Sequence, residues 1–239
     1  MGQSAAIAEG QSAKQRGKPS GHGLRKATDL IDLRNLGGAE SSTGVVDQGR
    51  WSRKALSGYL TELVGGPTSA NLTMTGRLIL LAQNAGEFVA WVATHRDVFF
   101  PPDLAALGVD LATLPVIWAD EPHGNGRIAG RASRVAERLL RSGAFGLVII
   151  DLAKNLTLNA AAQGRLLRLA EHNDAQVLIL RRKREDGNYS GSLVTVRAES
   201  TRKQIGPGRF RCTIMNTKDK REGPGWTTSE EFDGPPGMY

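Results

Sequence analysis

From Trp51 onward the chain alternates between short runs that are apolar at nearly every position and longer stretches that are apolar only at helical spacing. Tyr59-Leu60-Thr61-Glu62-Leu63-Val64 predicts a strand that ends in Gly65-Gly66-Pro67. Residues 73–85 follow as a helix, with Leu78, Leu81 and Ala82 on one side. Phe88 to Val92 predicts a second strand, Pro102 to Leu107 a short helix stopped by Gly108, and Leu114 to Trp118 a third strand. The clearest helix covers 127–142: Ile128, Ala132, Val135, Ala136, Leu139 and Leu140 share one face and arginines occupy the other. Phe145 to Asp151 is apolar throughout until its last residue, the pattern of a strand buried on both faces of a parallel sheet. A helix over 158–172 and a strand over Gln176 to Leu180 complete this part.

Strands alternating with helices predict βα units, and so an α/β fold with a mainly parallel sheet flanked by helices. After residue 180 the style changes. Ser192 to Arg197 and Arg209 to Met215 are close together with no helix between them, and the second alternates apolar with polar residues. They predict antiparallel strands closing the C-terminal edge of the sheet. Residues 1–23 are rich in Gly, Ser, Ala and Gln and read as a disordered arm. Residues 24–35 could form a short helix ended by Leu36-Gly37-Gly38, or belong to the arm. The division expected is an arm over 1–50, a core over 51–222 and a Pro/Gly-rich acidic tail over 223–239. That tail reads equally as a disordered peptide that docks onto a partner or as a last edge strand around Thr228 to Phe232.

The length of 239 residues suits one domain plus a tail. The single cysteine, Cys212, excludes an internal disulfide, and no histidine sits at zinc-ligand spacing from it or from another histidine. No apolar run approaches the ~20 residues that span a bilayer, and the N-terminus lacks an apolar signal core, so a cytoplasmic location is expected, with no membrane partner. The net charge of +7 is concentrated: residues 181–221 hold twelve Lys/Arg against four Asp/Glu, while 222–239 hold four acids and no base. Such an excess attracts phosphate backbones or an acidic partner, or simply solvates one face.

A phosphate-binding loop needs glycines that expose backbone N–H groups, a lysine for the phosphate charge and a Ser/Thr for magnesium. The segment between the first strand and the first helix is Gly66-Pro67-Thr68-Ser69-Ala70-Asn71-Leu72-Thr73. Gly66 and Thr73 stand where the first glycine and the magnesium hydroxyl belong, but Asn71 and Leu72 replace the second glycine and the lysine. The segment alone matches an ordinary βα turn as well as it matches a phosphate loop.

The order from Thr61 to Asp151 resembles bacterial RecA at matched spacing. The likeness runs through Leu63-Val64-Gly65-Gly66-Pro67, Phe88-Val89-Ala90-Trp91-Val92, Leu104-Ala105-Ala106-Leu107-Gly108-Val109-Asp110-Leu111 and Leu139-Leu140-Arg141-Ser142-Gly143-Ala144. Within the RecA superfamily, the damaged loop, the short length and the ending Arg221-Glu222-Gly223-Pro224-Gly225-Trp226 resemble ImuA, an accessory protein of SOS-induced mutagenesis, with the cell-division inhibitor SulA more distant. The resemblance implies a RecA-like core that puts Leu72 at the phosphate-loop lysine and His95 at the catalytic glutamate. It leaves Asp151 as the magnesium-supporting aspartate, or as a simple partner of Thr73, and no glutamine near Arg181 or Arg182 to sense the terminal phosphate. Phosphoryl transfer rests on those charges, so no catalytic residue, no metal and no cofactor are expected.

The resemblance also implies surfaces for binding. The segment after Leu180 takes the place of a DNA-binding loop, and Arg181, Arg182, Lys183, Arg184 and Tyr189 combine cations with an aromatic that can stack on a base. Lys218 and Lys220 resemble lysines that reach across a recombinase filament interface. The partners implied are the recombinase RecA, a Y-family-like polymerase subunit and a replicative-type polymerase of a mutagenic complex, and single-stranded DNA, at a nucleoid-associated location. A single-stranded DNA-binding module and a SulA-like division inhibitor are the alternatives.

Overall fold

A computed structural model of the chain describes residues 49–234 apart from 97, 120–124, 184–190 and 192. The elements run β1 (Leu60–Gly65), α1 (Asn71–Asn84), β2 (Phe88–Ala93), α2 (Pro101–Ala106), a 3-10 turn (Leu111–Thr113), β3 (Val116–Trp118), α3 (Asn125–Arg141), β4 (Phe145–Asp151), α4 (Ala160–His172), β5 (Gln176–Arg182), β6 (Val196–Gly206), β7 (Arg209–Asp219) and β8 (Thr227–Asp233). The arm over 1–48, and with it the helix considered over 24–35, lies outside the described residues.

The strands form one sheet in the order β3-β2-β4-β5-β1-β6-β7-β8. All pairings from β3 to β6 are parallel, and β6-β7 and β7-β8 are antiparallel. The fold is therefore the mainly parallel α/β class expected, with antiparallel strands at the C-terminal edge. Alternate residues of each central strand feed two cores, as the period of 2 demands. Leu63, Trp91, Leu147, Ile149 and Leu178 pack with Met74, Leu78 and Leu104 of α1 and α2. Leu60, Val92, Val148, Ile150 and Ile179 pack with Ala132, Leu140 and Leu166 of α3 and α4.

Two expectations needed correction. The strand foreseen over Ser192 to Arg197 runs instead from Val196 to Gly206 and pairs parallel with β1 as well as antiparallel with β7. Its second half, Thr201 to Gly206, is largely exposed because it overhangs the end of β1, whose last residue Gly65 is level with Ser200. A polar overhang carries no hydrophobic signal. A two-residue turn, Pro207 and Gly208 with Gly208 at φ +63°, returns the chain into β7. The second concerns the acidic tail: Thr227–Asp233 is paired with β7, so the sheet continues past residue 222.

One charged group sits inside the sheet. Glu62, on β1, is fully buried. Arg181 of β5 donates to its Oε1 at 3.3 Å and Arg197 of β6 to its Oε2 at 2.5 Å. Arg181 also donates to the Leu156 carbonyl at 3.1 Å. Removing one member of a buried ionic cluster leaves uncompensated charge and costs about 3–5 kcal/mol. Glu62→Gln is expected to lower the urea midpoint by that amount at unchanged slope; a loss below about 1 kcal/mol would show that the cluster is dispensable.

Candidate functional site

The carboxyl ends of parallel strands are where α/β folds bind ligands. Here Gly65 to Ala70 carry the chain from β1 into α1, and the helix starts at Asn71, two residues before the expected position. The loop is closed by its own polar groups. Ser200 of β6 donates to Asn71 Oδ1 at 2.6 Å and accepts from the Ala70 N–H at 3.1 Å. Ser69 Oγ takes the Asn71 N–H at 3.0 Å, and Asn71 Nδ2 donates to the Arg181 carbonyl at 3.2 Å. The Arg202 N–H meets the Thr68 carbonyl at 2.7 Å, and the Lys183 N–H meets the Gly65 carbonyl at 2.7 Å.

The side chains of Ser69 and Asn71 lie directly over Gly65. A Cβ at Gly65 would come within 2.0 Å of Ser69 Oγ and 2.8 Å of Asn71 Nδ2, so only glycine fits beneath them. A phosphate loop works by presenting free N–H groups around an empty hollow. In this loop the Ala70 and Asn71 N–H groups are already bonded and two side chains fill the hollow. Ser200, which completes the closure, stands 130 residues from Ala70 and carries no local signal in the sequence.

The other residues of the loop also depart from the pattern. Leu72 is half-buried against the α1-side core. Thr73 is not the partner of Asp151. It lines a separate pocket and hydrogen-bonds the Cys212 thiol, whose pKa burial pushes up. Asp151, 1% exposed, receives a 2.9 Å contact from His95 Nε2, and its carbonyl accepts from the Thr94 N–H and Oγ1 at 3.0 and 2.8 Å. The histidine at the expected glutamate position and the surviving aspartate thus hold each other across β2 and β4.

Outside the closed loop lies a cleft of about 550 Å³, bordered by Gly66, Leu72, Val98, Lys154, Arg182 and Lys183. The run of cations is split by the sheet's alternation. β5 extends to Arg182, so Arg181 points inward, 2% exposed, as the counter-ion of Glu62, and is not a surface group. Arg182 and Lys183 are exposed at the cleft, where Lys183 Nζ reaches Glu199 at 2.7 Å. Arg184 and Tyr189 lie outside the described residues. Lys154, exposed three residues beyond Asp151, was missed in the sequence because it is isolated there; the fold carries it to the same cleft.

Lys218 and Lys220 sit at the opposite end of the sheet. Lys218 is level with Arg197, near the start of β6, and the Lys220 N–H bonds the Thr195 carbonyl. Lys218 is half-buried and Lys220 exposed. Desolvation lowers the Lys218 pKa, and the charges of Lys220 and Arg197 add to it, against an opposing effect of Glu62.

No family model matches the chain. It is 32% identical over 109 residues to the RecA protein of Acinetobacter baylyi, a stretch covering 46% of this chain and 29% of that one. It is 35% identical over 109 residues to RecA of Bacteroides thetaiotaomicron, covering 45% and 30%. With RecA of Parasynechococcus marenigrum the identity is 30% over 139 residues, covering 58% and 35%. The chain thus spans about a third of the length of the curated relatives it matches. The crystal structure of the RadB recombinase shares the fold, with a TM-score of 0.52 and 18% identity over 73% of this chain and 87% of that one. Sequence and fold agree on a RecA-superfamily relative. The RecA-like core expected from the likeness is the architecture found.

The closure of the loop separates two explanations for a lost phosphate site, missing charge and missing space. Leu72→Lys restores only the charge. It is expected to show no thermal stabilisation by magnesium-ATP, whereas Leu72→Lys combined with Ser69→Gly and Asn71→Gly regains some; stabilisation of the single variant would show that space is not the obstacle.

Proposed function

We propose that this chain is a non-catalytic, ImuA-like accessory protein of DNA damage-induced translesion mutagenesis. In this reading it binds the recombinase RecA together with a translesion polymerase complex made of a Y-family-like subunit and a replicative-type polymerase. The observation that carries the proposal is the loop between β1 and α1, whose N–H groups and hollow are taken by Ser69, Asn71 and Ser200. Hydrolysis of a nucleotide needs an open phosphate cradle, a cation on the phosphates and a base for water. Here the cradle is filled, Leu72 replaces the cation, and His95 is engaged with Asp151. Weak nucleotide contact at the outer cleft is compatible with this reading; turnover is not.

The two ends of the sheet then have different uses. A closed loop at the carboxyl end cannot build an ATP-bridged interface, while Lys218 and Lys220 at the other end are placed to offer cations to a recombinase neighbour. Such a subunit would cap a RecA filament instead of extending it. Among the described residues no helix is long and apolar enough to cross a membrane. A second reading, a single-stranded DNA-binding module, draws on the convergence of Lys154, Arg182 and Lys183 on one cleft.

Two measurements test the proposal. Lys218→Ala/Lys220→Ala should lose RecA capture in a purified pull-down while the polymerase-complex contact persists. Unchanged RecA binding sinks the capping role, and nucleotide turnover by the unmodified chain sinks the non-catalytic one. The pKa of Lys218 is already lowered, so its charge is lost on raising pH earlier than for an ordinary lysine. RecA binding through it should therefore weaken as pH rises toward that lowered value, and a flat alkaline profile would show that its charge is not used.

A further inference from the structure

β8 ends the sheet and pairs on one side only, with β7. Exposed edges are usually blunted by lysines, prolines or bulges. This one has none of them: its seven residues, Thr-Thr-Ser-Glu-Glu-Phe-Asp, pair with β7 in unbroken register. Its outward backbone groups form a regular template for another strand.

A pocket of about 280 Å³ adjoins the end of this strand, between it and the helices α1 and α2. Leu107, Phe210, Cys212 and Phe232 provide its apolar lining. Its polar groups are Asp103, Asp233 and Arg202, the last stacked over the Phe210 ring at 5.1 Å. That volume suits one large side chain. An added strand would lie ~4.8 Å beyond β8, and its residue beside Phe232 would face the same side of the sheet, over the pocket mouth.

Charge selects the occupant. Two copies of β8 paired about its central residue would set Glu230 against Glu230, and like charges directly opposite are destabilising. The edge carries three carboxylates and no cation, and the pocket carries two carboxylates against one guanidinium. We propose that β8 and this pocket form a docking groove for an extended basic segment of a partner protein, which adds a ninth strand and places one aromatic or long aliphatic side chain in the pocket. The groove lies apart from the closed loop and from Lys218 and Lys220, so it stands independently of the accessory-protein reading.

A fluorescein-labelled synthetic peptide of alternating lysine and valine, with one valine replaced by phenylalanine, is the probe. Polarisation with the full chain should show saturable binding, and hydrogen exchange should slow at the β8 amides. Ala106→Trp fills the pocket from the exposed side of α2 and should weaken binding about tenfold, or ~1.4 kcal/mol. Asp103→Lys, a charge reversal at the pocket, should weaken it without filling the space. The proposal is overturned by any of four results: no saturable binding, equal affinity for a peptide with glutamate in place of lysine, affinity indifferent to both variants, or unprotected β8 amides. A concentration-dependent dimer in sedimentation that protects β8 without peptide also overturns it, since the occupant is then a second copy.

Discussion

A buried carboxylate holds this molecule together at the place where its two halves meet. Glu62 lies on β1, the last strand flanked by parallel partners that both belong to its core, and takes one guanidinium from β5 and one from β6. A carboxylate inside a sheet is tolerable only when its oxygens are paired, and two arginines satisfy both. The pairing decides more than stability. It turns Arg181 inward, which by alternation puts Arg182 outward at the cleft. It also sets Arg197 beside Lys218 with more positive charge than one glutamate balances, which contributes to the lowered pKa of that lysine. The cations at both ends of the sheet are thus arranged around one acidic side chain.

The central fold was legible because its strands are buried on both faces. Phe145 to Asp151 and Gln176 to Leu180 admit few readings other than core strands, and the helix over 125–141 shows its apolar face plainly. The failures share one physical cause: a residue whose environment comes from a distant part of the chain. The polar half of β6 is a strand because β7 pairs with it, not because its side chains seek a core. Arg181 reads as one of a run of surface cations until β5 is known to continue past Leu180 and Glu62 to lie beneath it. Thr227–Asp233 was open between tail and strand because an edge strand with one face exposed has only half the pattern.

The candidate site divides in the same way. The position of the loop, the replacement of its lysine by Leu72 and the histidine in place of the glutamate are local facts of the sequence. That the loop is filled, and not merely uncharged, depends on Ser200 and on the carbonyl of Arg181, each more than a hundred residues away. Thr73 shows the converse: it has the right residue type at the right spacing, yet its hydroxyl faces Cys212 and not Asp151.

These details bear on how such a site could lose its phosphate chemistry. Replacing the lysine removes a charge and leaves a hollow that still suits an anion. Asn71 differs, because an amide carried into a site only 7% exposed must find partners or cost about 1–3 kcal/mol. It finds them in the Arg181 carbonyl and Ser200, and Ser200 in turn binds the Ala70 N–H, one of the donors that a phosphate would need. Each bond satisfies a buried group, so the closed arrangement is self-supporting. Opening it exposes several unsatisfied groups at once, and an incoming phosphate would have to compensate all of them without a lysine to help. The loop has therefore become a structural joint between β1, β5 and β6, the same three strands that Glu62 ties together from the other face of the sheet.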